Sequence, residues 1–213
     1  LTDSSAASDV YKRQKKNFMQ MLDLGANIDC SAENLFQFAV MGASVVESLE
    51  LSKNPRVGLL NIGSEELKGN NTIKNTYQIL NEKKYSLFKF CGYIEGNQIM
   101  DGNVNVIVTD GFTGNIALKT AEGTANFISE ELKKAFNASV IGKISAFLNI
   151  KNLKKFKKKL DPRLYNGAIL LGLDKPVIKS HGSTDEIGFA NSLKVCEQII
   201  KGNLIEKIKK NII

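Results

Sequence analysis

Residues 104–127, VNVIVTDGFTGNIALKTAEGTANF, have the residue types and spacing best suited to holding an anion. Val104, Val106, Ile107 and Val108 form a β-prone apolar run that ends in Thr109 and Asp110. Gly111 and Gly114 then permit a tight turn, and the spacing starts a helix at Asn115. A strand feeding a helix in this way leaves backbone N–H groups facing whatever lies beyond the strand's carboxyl end. The same residues also fit an ordinary β-α connection in which Asp110 or Asn115 only caps the helix. The pattern is neither a Walker A loop nor a dinucleotide fingerprint.

Residues 25–29, 63–70 and 180–184 form three further loops rich in groups that bind polar ligands. His181, the only histidine, follows a strand end and precedes a helix, among glycine and hydroxyl residues. That setting fits proton transfer or contact with an anion, and equally a structural role. Cys30, Cys91 and Cys196 are odd in number, far apart and without metal-ligand spacing, so they read as small buried hydrophobes in a reducing compartment. No metal or redox cofactor is expected.

Elements must position these loops. Strands are predicted over 18–24, 56–62, 87–94 and 104–108, with helices over 32–50, capped by Ser31, over 72–82 and over 115–136. The repeated order of strand, glycine-containing loop and helix predicts a three-layer α/β/α domain around a mostly parallel sheet, with ligands outside the strands' carboxyl ends. A helical hairpin is expected over about 126–160. Strands follow at 168–171 and 176–179, and Ser183 with Glu186 has capping-box spacing for a helix to about residue 200. A short lysine-bearing helix covers 204–213. Residues 1–16 lack a clear period and read as a tail outside a domain over 17–213.

The chain has 213 residues, 43% hydrophobic and 24% charged, the profile of a soluble globular protein. No stretch has the length of a membrane span and the amino terminus lacks signal-peptide character, so a cytoplasmic protein is expected. The net charge of +7 is regional, because residues 143–163 hold eight basic residues and one acidic residue. Ile144, Phe147 and Leu148 beside Lys154, Lys155 and Lys158 fit a dimer contact with a solvated face, docking on an anionic membrane surface, or an acidic protein partner. Nucleic acid is disfavoured, since no aromatic platform or recognition-helix pattern accompanies the lysines.

Taken together, LDLGANIDC at 22–30, NPRVGLLNIGSEELKGN at 54–70, VTDGFTGNIALKTAEG at 108–123 and KSHGSTD at 179–185 resemble the bacterial phosphate acyltransferase of phospholipid synthesis. The resemblance covers 18–213 in family order and corresponds to the carboxyl-terminal portion of a longer protein. It implies a fold similar to phosphate acetyltransferases and isocitrate dehydrogenase-like enzymes, usually as a homodimer. The implied activity transfers a fatty acyl group from acyl carrier protein to inorganic phosphate, giving acyl phosphate for a membrane-bound acyltransferase. Peripheral association with the inner face of the cell membrane accompanies it.

With the loop chemistry, the resemblance assigns Lys68 and the backbone over 111–115 to phosphate. Asn27 and Asn115 orient substrate oxygens, and His181 donates to the oxyanion or the departing sulfur. Asp110, Asp29 and Glu65 order cationic and amide groups, while Ser64, Asn70, Gly111, Thr113, Gly114, Gly182 and Ser183 complete the substrate contacts. Ser64 stands where a threonine is common and Leu67 where a smaller residue is common. Two alternatives remain: a short-chain enzyme using acyl-coenzyme A, and a catalytically inert fragment that keeps a dimer or membrane module.

Overall fold

The structure is a computed structural model that describes residues 6–12, 18–82, 85–160, 168–180 and 184–212. Short apolar runs set the centre of the sheet: β2 (Phe18–Leu22), β3 (Arg56–Leu60), β4 (Lys89–Ile94) and β5 (Val106–Val108). With β1 (Ala6–Lys12), β6 (Ala168–Leu171) and β7 (Val177–Lys179), they form a seven-stranded sheet in the order β4-β3-β5-β2-β1-β6-β7. The pairs β3-β4, β3-β5 and β2-β5 are parallel. The pairs β1-β2, β1-β6 and β6-β7 are antiparallel, so β2 to β6 run one way and β1 and β7 the other. Ala6–Lys12, in a stretch with no readable period, thus forms a strand.

Strand alternation divides the core. Leu22, Val57, Leu59, Val106 and Val108 face α1 (Ala32–Ser48), and Met19, Met21, Leu60 and Ile107 pack on the opposite face. α1 starts where Ser31 predicts, with the Asn34 N–H donating to Ser31 Oγ at 3.1 Å and the Ser31 N–H donating back to Asn34 Oδ1 at 2.8 Å. Apolar on nearly every side, α1 packs against the sheet and against both α2 (Asn71–Glu82) and α7 (Leu204–Asn211). Each fully buried side chain such as Phe38 or Leu35 contributes about 1.5–3 kcal/mol. Gly42 permits the close approach of helix to sheet, since a Cβ there would lie 2.5 Å from Val106 Cγ1.

α3 (Gly111–Asn137) begins on the other face, where Ala117 meets the second core, and runs well past the sheet. At about 1.5 Å per residue its 27 residues span about 40 Å. It starts at Gly111, one turn earlier than the sequence spacing placed it. α4 (Val140–Leu148) packs on α3, and α5 (Ile150–Leu160) on α4. α4 buries none of its residues.

α6 (Glu186–Lys201) is capped by Asp185, whose Oδ1 accepts from the Gly188 N–H at 3.0 Å. The expected cap, Ser183, lies outside the described residues. α7 is tied to α1 by Asn211 Nδ2 donating to Ser44 Oγ at 3.1 Å, and the α6-α7 turn by Ser48 Oγ donating to Gly202 O at 2.8 Å. Among the described residues no helix is long and apolar enough to cross a membrane.

Candidate functional site

Parallel pairing sets the carboxyl ends of β2, β5 and β3 side by side, with Leu22 opposite Val108 and Val108 opposite Leu59. Asp23 directly follows β2 and is fully buried. A carboxylate in such a place needs donors, because burying an uncompensated charge costs many kcal/mol. Asp23 Oδ1 accepts from the N–H groups of Gly25 and Ala26, both at 3.0 Å. Its Oδ2 accepts from the Asn27 N–H at 2.7 Å and from Asn27 Nδ2 at 2.8 Å. The loop is wrapped around its own carboxylate. Asn27, assigned from sequence to orient substrate oxygens, therefore directs its side-chain amide inward.

The start of α3 is locked to this loop. The Gly111 N–H donates to Asn27 O at 2.8 Å, and the Asp23 N–H to Thr109 O at 2.8 Å. Asp110 caps the helix: its Oδ1 accepts from the Thr113 N–H and its Oδ2 from Thr113 Oγ1, each at 2.8 Å. The Gly114 N–H donates to Asp110 O at 2.9 Å. A Cβ would lie 2.4 Å from Asn27 O at Gly111 and 1.9 Å from Asp23 O at Gly114, so this docking requires both glycines. Gly25, at φ +122°, lies under Asn115, whose Nδ2 would be 3.2 Å from a Cβ there. The sequence reading gave the whole 111–115 backbone to phosphate, but the N–H groups of Gly111, Thr113 and Gly114 are used internally. Among the described residues, the Phe112 N–H and the Asn115 side-chain amide are left without a protein partner.

The loop after β3 is organised by the buried Asn61. Its Nδ2 donates to Gly63 O at 3.1 Å and Lys68 O at 3.2 Å, and its Oδ1 accepts from the Ile62 N–H at 2.9 Å. This closes a loop that leaves Ser64, Glu65 and Lys68 exposed. Among the described residues Lys68 forms no ion pair. Asn70 Oδ1 accepts from the Ile73 N–H at 2.9 Å and so serves the start of α2. Asp29 is exposed at the rim. Asp23 and Asn61 were not singled out from sequence; each is a polar residue placed immediately after an apolar strand, and that placement is the one signal they carry.

The fourth loop is not brought to this edge by the described residues. β7 is antiparallel to β6 with Lys179 opposite Ala168, so β7 ends at the opposite end of the sheet from the carboxyl ends of β2, β3 and β5. Ser180 is held there by the Ser192 hydroxyl at 3.3 Å. His181, Gly182 and Ser183 lie outside the described residues. At the far end of α3, Ile144, Phe147 and Leu148 are exposed, the last two at 75% and 76%, and Lys154 and Lys155 face solvent. The Lys158 side chain lies outside the described set.

A family model described as a fatty acid synthesis protein matches residues 8–207. A phosphate acyltransferase of Pelagibacter ubique (strain HTCC1062) is 67% identical over 210 residues, covering 99% of this chain and 63% of that protein. One from Paraburkholderia xenovorans (strain LB400) is 47% identical over 193 residues, covering 91% and 52%. The chain thus spans about half to just under two thirds of these relatives' length. Among solved structures, a phosphotransacetylase from Staphylococcus aureus superposes with a TM-score of 0.60 at 14% identity, over 93% of this chain and 55% of that one. A branched-chain phosphotransacylase from Enterococcus faecalis V583 gives 0.59 at 11% identity, over 92% and 65%. These likenesses establish the fold: an α/β architecture on a sheet with a parallel centre.

Two electrostatic influences meet at the shared edge. The amino ends of α1, α2 and α3 follow the three loops and present partial positive charge. Against them stand the carboxylates, and Cys30 registers their presence. Burial pushes its thiol up to about 11, Asp23, Asp110 and Asp29 push the same way, and a Gly111 backbone hydrogen bond opposes them. Its Sγ donates weakly to Asn27 O at 3.7 Å. A raised value keeps Cys30 protonated near neutrality, which unsuits it as a nucleophile. Iodoacetamide should therefore modify the exposed Cys91 first, with Cys30 labelling slow at about pH 8 and accelerating as the pH nears about 11. Peptide mapping by mass spectrometry reads this directly; prompt labelling of Cys30 at the lower pH would contradict it.

Proposed function

The chain belongs to the phosphate acyltransferase family, whose model is described as a fatty acid synthesis protein, and on that premise we propose that it carries the phosphate and thioester site of an acyltransferase. The observation that carries this reading is the junction of the β2, β3 and β5 loops at one end of the sheet, each followed by a helix amino end, with Lys68 exposed on the β3-α2 loop. The reaction transfers a fatty acyl group from acyl carrier protein to inorganic phosphate. A phosphate oxygen attacks the thioester carbonyl carbon, a C–O bond forms, and the tetrahedral oxyanion collapses with cleavage of the C–S bond. Acyl phosphate results, and the proton released from hydrogen phosphate passes to the departing thiolate.

Such a displacement needs orientation and oxyanion stabilisation, and no enzyme nucleophile. Lys68, the Phe112 N–H and the Asn115 amide hold phosphate or the oxyanion in this reading. Asp110 acts through Thr113 by fixing the first turn of α3. Ile28, Ile62, Leu67, Phe112 and Ile116 are exposed on the same three segments, Leu67 at 87%, and offer an acyl chain an apolar rim. The product feeds a membrane-bound acyltransferase of phospholipid synthesis, and the protein acts as a homodimer in the cytoplasm. The apolar face of α4 beside the lysines of α5 supports peripheral docking on an anionic bilayer.

The assay is phosphate-dependent thiol release from a long-chain acyl carrier thioester, with acyl phosphate trapped by hydroxylamine. Lys68→Ala should lower kcat/KM by about ten- to a hundredfold. Unchanged activity in this variant would remove the role. Preference for a short-chain coenzyme A thioester would favour the short-chain enzyme, and absence of any thiol release an inert module. Replacing Phe147 and Leu148 together by Asp should abolish co-sedimentation with anionic liposomes while leaving the oligomeric state unchanged. Undiminished liposome binding would rule out the α4 face as the anchor.

A further inference from the structure

The geometry points to Asp23 as the positioning residue of this site: a built-in anion that shapes the β2-α1 loop and, through it, fixes where α3 presents the Phe112 N–H and the Asn115 amide. The inference rests on the acyltransferase reading above and adds to it a residue with no direct contact to substrate.

Loops in which successive N–H groups converge commonly take up an external anion. Here the converging groups of Gly25, Ala26 and Asn27 already hold one, the Asp23 carboxylate, which is fully buried and accepts from Asn27 Nδ2 as well. The place for a phosphate in this loop is filled from within. The consequence passes to α3 by direct contacts. Asn27 O, whose position is set by the clasp, accepts the Gly111 N–H at 2.8 Å. Asp23 O lies where a Cβ on Gly114 would come within 1.9 Å, so the first helical turn rests against the Asp23 backbone. Gly25, inside the clasp, lies directly beneath the Asn115 amide. Three contacts therefore register the Phe112 N–H and the Asn115 amide, unpartnered among the described residues, against a loop whose shape depends on one carboxylate.

This arrangement separates two kinds of anion interaction. The β2-α1 loop is preorganised and closed to ligand, leaving ligand binding to the start of α3 and the β3-α2 loop. Loss of the carboxylate should blur the position of the phosphate-facing donors while leaving the acyl-chain rim in place. Asn at position 23 is the suitable probe, because a neutral amide keeps an acceptor for the donors on one oxygen but turns its NH2 group toward those on the other.

The test measures amide hydrogen exchange together with the separate KM values for inorganic phosphate and for the acyl donor. In Asp23→Asn, exchange at Gly25, Ala26, Asn27 and Gly111 should accelerate while amides of β3 and the centre of α1 keep wild-type protection. The phosphate KM should rise about tenfold or more, as expected for loss of hydrogen bonds to a charged group, with donor KM and kcat changed less than about threefold. Uniformly faster exchange, or an equal rise in both KM values, would reduce Asp23 to a general stabilising residue and overturn the assignment. Should Asp23→Asn fail to fold, Asn27→Ala removes a single donor from the clasp and should accelerate exchange at Gly25, Ala26 and Gly111. A higher phosphate KM in Asn27→Ala without faster exchange would put Asn27 on the substrate and overturn the proposal. Wild-type chain lacking thiol release would count against the acyltransferase reading alone, since the exchange pattern still decides whether Asp23 sets the position of α3.

Discussion

A carboxylate that is fully buried must be met by donors, and the site at the sheet edge is built on that constraint. Asp23 satisfies it with backbone N–H groups of the next few residues and one side-chain amide, so the β2-α1 loop has little freedom left. Everything stacked on that loop inherits the restriction. Gly111 hydrogen-bonds to it, Gly114 lies against it, and Asn115 lies over Gly25. The neighbouring loop follows the same logic with a neutral group, as Asn61 spans Gly63 and Lys68 and closes the turn that displays Lys68. Buried polar side chains at strand ends thus hold loops whose exposed groups remain open to ligand.

This division accounts for the chemistry available at the edge. Helix amino ends favour an anion, yet Asp23, Asp29 and Asp110 lie close enough to raise the Cys30 thiol together. Two of these carboxylates are occupied with protein donors: Asp23 inside its loop and Asp110 on Thr113. Among the described residues, the exposed Lys68, the Phe112 N–H and the Asn115 side-chain amide are the groups left open to an anion. A protonated, partly buried Cys30 fits direct attack by phosphate better than a covalent acyl-enzyme.

Much of the fold was legible because it depends on local patterns. Ser31 before an apolar helix, the alternating or continuous apolar strands and the repeated strand-loop-helix order all survive in the structure. The start of α3 was placed a turn late because Gly111 and Gly114 were read as turn formers, whereas their lack of a Cβ serves close approach inside a helix. Asp23 and Asn61 escaped notice because a lone polar residue after a strand looks like a turn residue; only tertiary burial shows the difference. The direction of β7 is likewise invisible locally, since the antiparallel β6-β7 pairing is set by register and not by composition. Three of the four loops singled out from the pattern meet, the fourth is not brought to them by the described residues, and the buried groups that join the three carried no local signal.

We propose that phosphate is taken up at the amino end of α3 and by Lys68, against a loop closed by Asp23. Titration of the isotopically labelled chain with inorganic phosphate, followed by amide and side-chain nitrogen resonances, tests it most directly. Saturable shifts are expected at the Phe112 amide, the Asn115 side-chain amide and the residues around Lys68, with the Gly25 and Ala26 amides nearly still. Saturable shifts centred on Gly25 to Asn27, or confined to the lysines of α5, would contradict it.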